Sequence, residues 1–141
     1  MAIIKSYTDL EQSKKLAEIL PLKSADMYYQ YVLPKSGKIK HNPEIGNPIN
    51  ALEWYNKGYR TSGKEPITLD EYCVPCWSLA ALLGVLPTID DEFEPQLRRS
   101  LDKYRCTYEG EEHSSGLWRV ADNPIDACYE LILKLHELNL L

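Results

Sequence analysis

The sequence predicts an α+β protein: an antiparallel sheet of about four to five strands packed on a central apolar helix and a C-terminal helix. Three observations predict it. Residues 72–87 (Y-C-V-P-C-W-S-L-A-A-L-L-G-V-L-P) form an uncharged run that reads as a helix apolar on nearly every face, so it must be wrapped by other elements. Ile125, Cys128, Leu131, Ile132, Leu135 and Leu138 recur at helical spacing. Tyr104, Cys106 and Tyr108 alternate with Arg105 and Thr107, the period of a half-buried strand. Strands and helices do not alternate regularly, as a parallel sheet would require.

The elements follow in order. Thr8-Asp9-Leu10-Glu11 reads as a capping box that opens a helix running to Leu20. Leu10, Leu16, Ala17, Ile19 and Leu20 form its apolar stripe, and Pro21 ends it. Residues 27–33 are aromatic and β-branched, hence a strand. Residues 34–37 turn the chain and residues 38–40 pair back as a short polar edge. The prolines of residues 41–49 predict an irregular loop. Residues 50–59 form a short helix capped by Asn50 and stopped by Gly58, and a polar stretch over 61–70 leads to the central helix at about Pro75.

Beyond Pro87 an acidic linker reaches Pro95. Residues 97–101 and 104–108 form a hairpin around Asp102-Lys103. Residues 109–116 are a loop and residues 117–120 a third strand. Asn123 caps the last helix with Pro124 at its first position, and Glu130 and Lys134 pair on its outer side.

The chain of 141 residues is large enough for one domain, 1–141, with a core that needs no staples. The N-terminus lacks an apolar signal region, and no apolar run approaches the ~20 residues of a membrane span. A cytoplasmic protein with reduced cysteines and no membrane contact is therefore expected. Net charge is −5: residues 1–70 carry ten Lys/Arg against eight Asp/Glu, and residues 71–141 carry six against thirteen. The acidic second half opposes nucleic-acid binding. Single-strand binding by aromatic stacking stays open only through the basic first half. Ten Tyr and three Trp against one Phe fit half-buried sheet faces or a protein-contact surface.

Cys73-Val74-Pro75-Cys76 is the sharpest motif, because C-x-P-C opening a helix is the arrangement of a thiol-redox centre. A buried strand does not precede it, and Asp70 and Glu71 would raise the Cys73 pKa. Structural zinc would need two further ligands, and Cys106 and Cys128 are expected to lie far apart, one on a strand and one on the buried face of a helix. Buried structural thiols are the plainer reading. Residues 58–65 nearly spell a phosphate loop, but Glu65 stands where a hydroxyl is required. His113 has acids and hydroxyls beside it without a nucleophile–base pattern, so no catalytic residue, enzyme activity or cofactor is assigned.

Residues 9–27 (D-L-E-Q-S-K-K-L-A-E-I-L-P-L-K-S-A-D-M), 76–87 (C-W-S-L-A-A-L-L-G-V-L-P) and 122–141 (D-N-P-I-D-A-C-Y-E-L-I-L-K-L-H-E-L-N-L-L) resemble a group of short uncharacterised proteins from phages and prophages of gut bacteria. The resemblance lies in the predicted core helices and brings no site residues. It implies an intracellular accessory protein of a mobile element. The leading expectation is a non-enzymatic module that binds a protein partner or itself through Trp54, Tyr55, Tyr59 and Trp118. The alternative is a thiol-redox or zinc protein centred on Cys73 and Cys76.

Overall fold

A computed structural model describes residues 5–61, 63–110 and 114–141, with the side chains of residues 59–61 and 114 outside that description. The chain forms two compact units, Asp9–Ser78 and a second that joins the residues up to Thr8 with Leu79–Leu141. The class is α+β. The strands do not form one sheet of four or five, however; each unit holds its own three-stranded antiparallel sheet. The cause is local. The later strands satisfy one another, while the first strand finds its partners within Asp9–Ser78.

In the first unit, helix α1 (Leu10–Ala17) is capped by Asp9, one residue later than the predicted Thr8. The Asp9 carboxylate accepts from the Gln12 amide at 2.8 Å, and the Gln12 side chain accepts from the Asp9 amide at 3.1 Å. Thr8 is buried, so its hydroxyl is not spent at an exposed helix end. The helix closes at Ala17, and a single 3-10 turn (Leu22–Ser24) follows Pro21.

Strand β1 (Met27–Gln30) comes next. Tyr31 bridges to Ile39 and the Lys40 amide donates to the Gln30 carbonyl, so the polar edge does pair back. Within the expected irregular loop lies a two-residue strand, β2 (Glu44–Ile45), paired to β1. Helix α2 (Pro48–Thr61) is longer than predicted at both ends. Asn47 rather than Asn50 caps it, accepting from the amides of Ile49 and Asn50 while its own amide donates to the Ala25 carbonyl. Gly58 costs a helix interior about 1 kcal/mol, too little to stop one already capped and packed.

The largest correction falls at residues 72–87. A one-turn helix, α3 (Leu69–Tyr72), starts at Thr68, whose amide donates to the Glu71 carboxylate at 3.1 Å. It gives way to strand β3 (Cys73–Cys76), which pairs antiparallel with β1. Pro75 favours the switch: its ring disfavours helical geometry at Val74, and a β-branched Val74 favours extension in any case. The sheet order is β2-β1-β3, and α1 packs against β3.

The second unit begins with helix α4 (Leu79–Val85), all that remains helical of the predicted central segment. Ala80 and Gly84 on it are exposed, so the helix is not wrapped on every face. A meander follows: β4 (Glu94–Ser100), β5 (Lys103–Glu109) and β6 (Ser114–Ala121), in that spatial order. Leu101 makes the β4–β5 turn with a positive φ of 56°. The expected loop over 109–116 is thus already strand from Ser114, and residues 111–113, including His113, lie outside the described residues.

Helix α5 (Pro124–Glu137) packs on β5 and β6 through Ile125, Cys128, Leu131, Ile132 and Leu135, all buried. Its cap is the predicted one: Asn123 accepts from the Asp126 amide at 2.9 Å, with Pro124 at the first position. Lys134 pairs with Glu137 at 4.0 Å rather than with Glu130. His136 is exposed, turned away from buried Cys128. No helix among the described residues is long and apolar enough to cross a membrane.

Because the cap satisfies an otherwise orphan amide, Asn123→Ala is expected to lower stability by about 1 kcal/mol. Urea unfolding followed by circular dichroism should show a lower midpoint at unchanged slope.

Candidate functional site

The four aromatic residues singled out in the sequence do not occupy equivalent places. Trp54 projects from α2 with 77% of its surface exposed, and the Lys57 ammonium lies 5.7 Å from its ring centroid. Tyr55, on the next position, is half-buried: its ring meets that of Tyr72 at 5.0 Å, and Tyr72 in turn meets Tyr28 at 5.9 Å. This chain of rings ties α2 to α3 and β1, which makes Tyr55 a packing residue. Tyr59 falls on α2, with its side chain outside the described residues. Trp118 belongs to the second unit, on β6.

Around Trp118 the β4–β6 sheet presents a face of apolar, basic and acidic side chains, Glu94 and Glu109 sharing it with Arg98 and Arg105. Strand alternation sends Cys106, Tyr108, Leu117 and Arg119 to one side, and Gln96, Arg98, Arg105, Trp118 and Val120 to the other. Trp118 and Val120 remain 45% and 42% exposed, and the Arg105 guanidinium sits 4.8 Å over the Trp118 ring. The register places Arg98 directly opposite Arg105. Like charges so placed cost roughly a few tenths to 1 kcal/mol. The side chains part to relieve it, Arg105 toward Trp118 and Arg98 toward Gln96 at 3.0 Å and Glu109 at 3.5 Å.

Charge distribution sharpens the contrast. Leu79–Leu141 carries six Lys/Arg against twelve Asp/Glu, yet five of those six cations (Arg98, Arg99, Lys103, Arg105 and Arg119) lie on the three strands. By the register Arg98, Lys103 and Arg105 share the Trp118 face with Glu94 and Glu109, while Arg99 and Arg119 fall on the other. Sequence reading named Trp118 but missed its arginines, because only the strand register shows that Arg98, Arg105 and Trp118 share a face.

The cysteines are rearranged relative to expectation. Cys73 and Cys76 sit on a strand, not at a helix N-terminus, and three residues along a strand put their thiols on opposite faces. Both are buried, at 2% and 0% exposure. Burial first, then the Asp70 carboxylate, push the Cys73 thiol up to about 12. A low-pKa attacking thiol is the reverse of this environment. Cys73 does line a cavity of ≈ 340 Å³ with Lys14, Glu18, Tyr31 and Asp70. Among the described residues no cluster of three or more His, Cys, Asp or Glu has the proximity to hold a metal.

Cys106 and Cys128, read as far apart, are neighbours: the Cys128 thiol donates to the Cys106 sulfur at 3.5 Å, and both are fully buried. The signal was present in the pattern. Cys106 is on the inward set of its strand, Cys128 is on the apolar stripe of α5, and one strand and one helix cap separate them. Beside them, the Tyr108 hydroxyl is buried without a hydrogen-bond partner among the described residues. Burial first, then Cys106, raise its pKa.

Comparison with family models, with curated proteins and with solved structures finds no match for the chain.

The Cys73 shift has a pH signature. Its folded pKa lies above the ordinary thiol value, so folding favours the protonated form. That stabilisation is fully present below about pH 9 and is lost as pH rises toward about 12. Stability measured by urea unfolding should fall across this window, and Cys73→Ser should flatten part of the fall without altering metal content. A steep fall retained by Cys73→Ser would place its origin in other groups.

Proposed function

We propose that this protein is a non-enzymatic binding module that holds a protein partner on the outer face of its β4–β6 sheet. The partner chemistry this face fits is a segment with acidic and apolar side chains together. One observation carries the reading: Arg98 and Arg105 stand opposite one another beside exposed Trp118 and Val120, in a unit otherwise acidic. Arg98 already pairs with Glu109 at 3.5 Å, so an incoming carboxylate would be met by Arg105 beside the Trp118 ring and would accept charge-assisted hydrogen bonds there. Trp and Arg are also the residues most enriched among binding hot spots.

Nucleic acid fits this face less well. The Trp118 ring already carries Arg105 on one side, and acidic residues outnumber basic ones twelve to seven across the unit. The wider setting we propose is an accessory role in the cytoplasm of a cell carrying a phage or related mobile element. That setting rests on the resemblance of residues 9–27, 76–87 and 122–141. Trp54 lies in the first unit and is not part of this face, while Tyr55 acts through packing.

The test is selection from a random peptide library on purified protein. Wild type should enrich peptides that combine Asp/Glu with apolar residues, with binding that weakens as salt rises. Trp118→Ala should reduce affinity by about 30-fold or more, as loss of a hot spot does, and Arg105→Glu should remove the acidic preference. Both variants should keep the wild-type circular dichroism. Enrichment without acidic bias, binding indifferent to Trp118→Ala, or Trp118-dependent binding of single-stranded oligonucleotides instead would each overturn the proposal. A concentration-dependent dimer broken by Arg105→Glu would assign the face to a second copy of the chain and overturn the separate-partner reading.

A further inference from the structure

The buried pair on β5 and α5 has a chemistry that the binding proposal does not use. We propose that Cys106 and Cys128 are an oxidisable dithiol, closed by peroxide into a disulfide that crosslinks the sheet to the C-terminal helix. The geometry is already assembled. The two sulfurs are 3.5 Å apart, in hydrogen-bond contact, and 22 residues apart in sequence. They need approach only by the difference between that contact and a bond of roughly 2 Å. Neither other thiol competes from within this site: Cys73 and Cys76 belong to the other unit and face opposite sides of their own strand.

The roles of the two sulfurs are unequal. Cys128 donates its proton toward Cys106, so Cys106 is held in the more thiolate-like state and Cys128 in the more protonated one. Cys106 is therefore the attacking sulfur. Its thiolate displaces hydroxide from hydrogen peroxide, giving a sulfenic acid at Cys106; with one proton, the hydroxide leaves as water. The Cys128 sulfur then attacks the sulfenic sulfur. The S–S bond forms, the S–O bond breaks, and the Cys128 proton leaves with the hydroxyl as a second water. Over both steps the two thiols give up two protons and two electrons, and the peroxide is reduced to two waters.

Burial sets the rate rather than forbidding the reaction. Both sulfurs are fully enclosed, so oxidant reaches Cys106 only when the sheet and α5 part locally. The dithiol should thus respond slowly, and faster under mild destabilisation. Once formed, the crosslink restricts the unfolded chain and ties together the strand and helix that enclose it.

The experiment is graded hydrogen peroxide treatment of the folded protein, then acid quench, denaturation, alkylation and peptide mass mapping. The expected product is a Cys106–Cys128 crosslinked peptide pair, lighter by two hydrogens, with Cys73 and Cys76 still alkylated. The oxidised protein should show a raised urea midpoint that dithiothreitol reverses. Cys106→Ser and Cys128→Ser should each abolish the crosslink, and the Cys73→Ser/Cys76→Ser double variant should retain it. Four alkylatable thiols after prolonged treatment, sulfinic acid at Cys106 without a crosslink, or pairing with Cys73 or Cys76 would overturn the proposal. Wild-type mapping decides this even if the core serine variants fail to fold.

Discussion

Pro75 in the Cys73–Cys76 segment constrains how the first unit pairs its strands. It removes an amide donor, disfavours helical geometry at Val74, and so favours extension of an apolar run where composition alone favours a helix. An extended segment that is buried along its whole length must find backbone partners. It finds them in β1, with Tyr29 opposite Val74 and Gln30 opposite Cys73. The Tyr31 amide continues the ladder by donating to the Tyr72 carbonyl at 3.0 Å. Asp26 then accepts from the amide and hydroxyl of Ser78, which fixes the exit of the segment. The same constraint decides the thiol chemistry. On a helix, Cys73 and Cys76 would share a face; on a strand they cannot.

The second unit is governed by register rather than by a breaker. Seven successive pairings between β4 and β5 set every odd residue of β5 against an even residue of β4. That single parity sends Cys106 inward to meet Cys128 and sends Arg105 outward to meet Arg98 and Trp118. A slip of one residue would exchange the two faces, burying arginines and exposing the thiol. The Arg105–Trp118 face and the buried dithiol are thus two consequences of one alignment. The binding reading and the redox reading stand on opposite sides of the same strand.

Much of this was legible in the sequence. The hairpin, the third strand and the capped C-terminal helix were all visible, because each is specified locally by alternation, by a turn or by Asn123-Pro124. Non-local features were not. The division into two sheets depends on which strands meet, and β2 is two residues long, below any periodic signal. The apolar run of residues 72–87 was misread because apolar content does not separate a buried strand from a buried helix; Pro75 after a β-branched residue was the discriminating sign. At the candidate site, Trp118 was visible as an aromatic beside a loop. Its partnership with two arginines, and that of Cys106 with Cys128, exist only once the register is known.

The central claim is that residues 73–76 are a strand paired with β1, since this both builds the first unit and separates the two thiols. Proton–proton NMR contacts test it directly. Pro75 has no amide, so Tyr28 and Pro75 form a non-hydrogen-bonded pair, as do Gln30 and Cys73 two residues along. Strong contacts between the α-protons of Gln30 and Cys73, and of Tyr28 and Pro75, are the predicted result. Helical contacts between residues three and four apart across 72–78, with no cross-strand contact to β1, would contradict it and return Cys73 and Cys76 to one face.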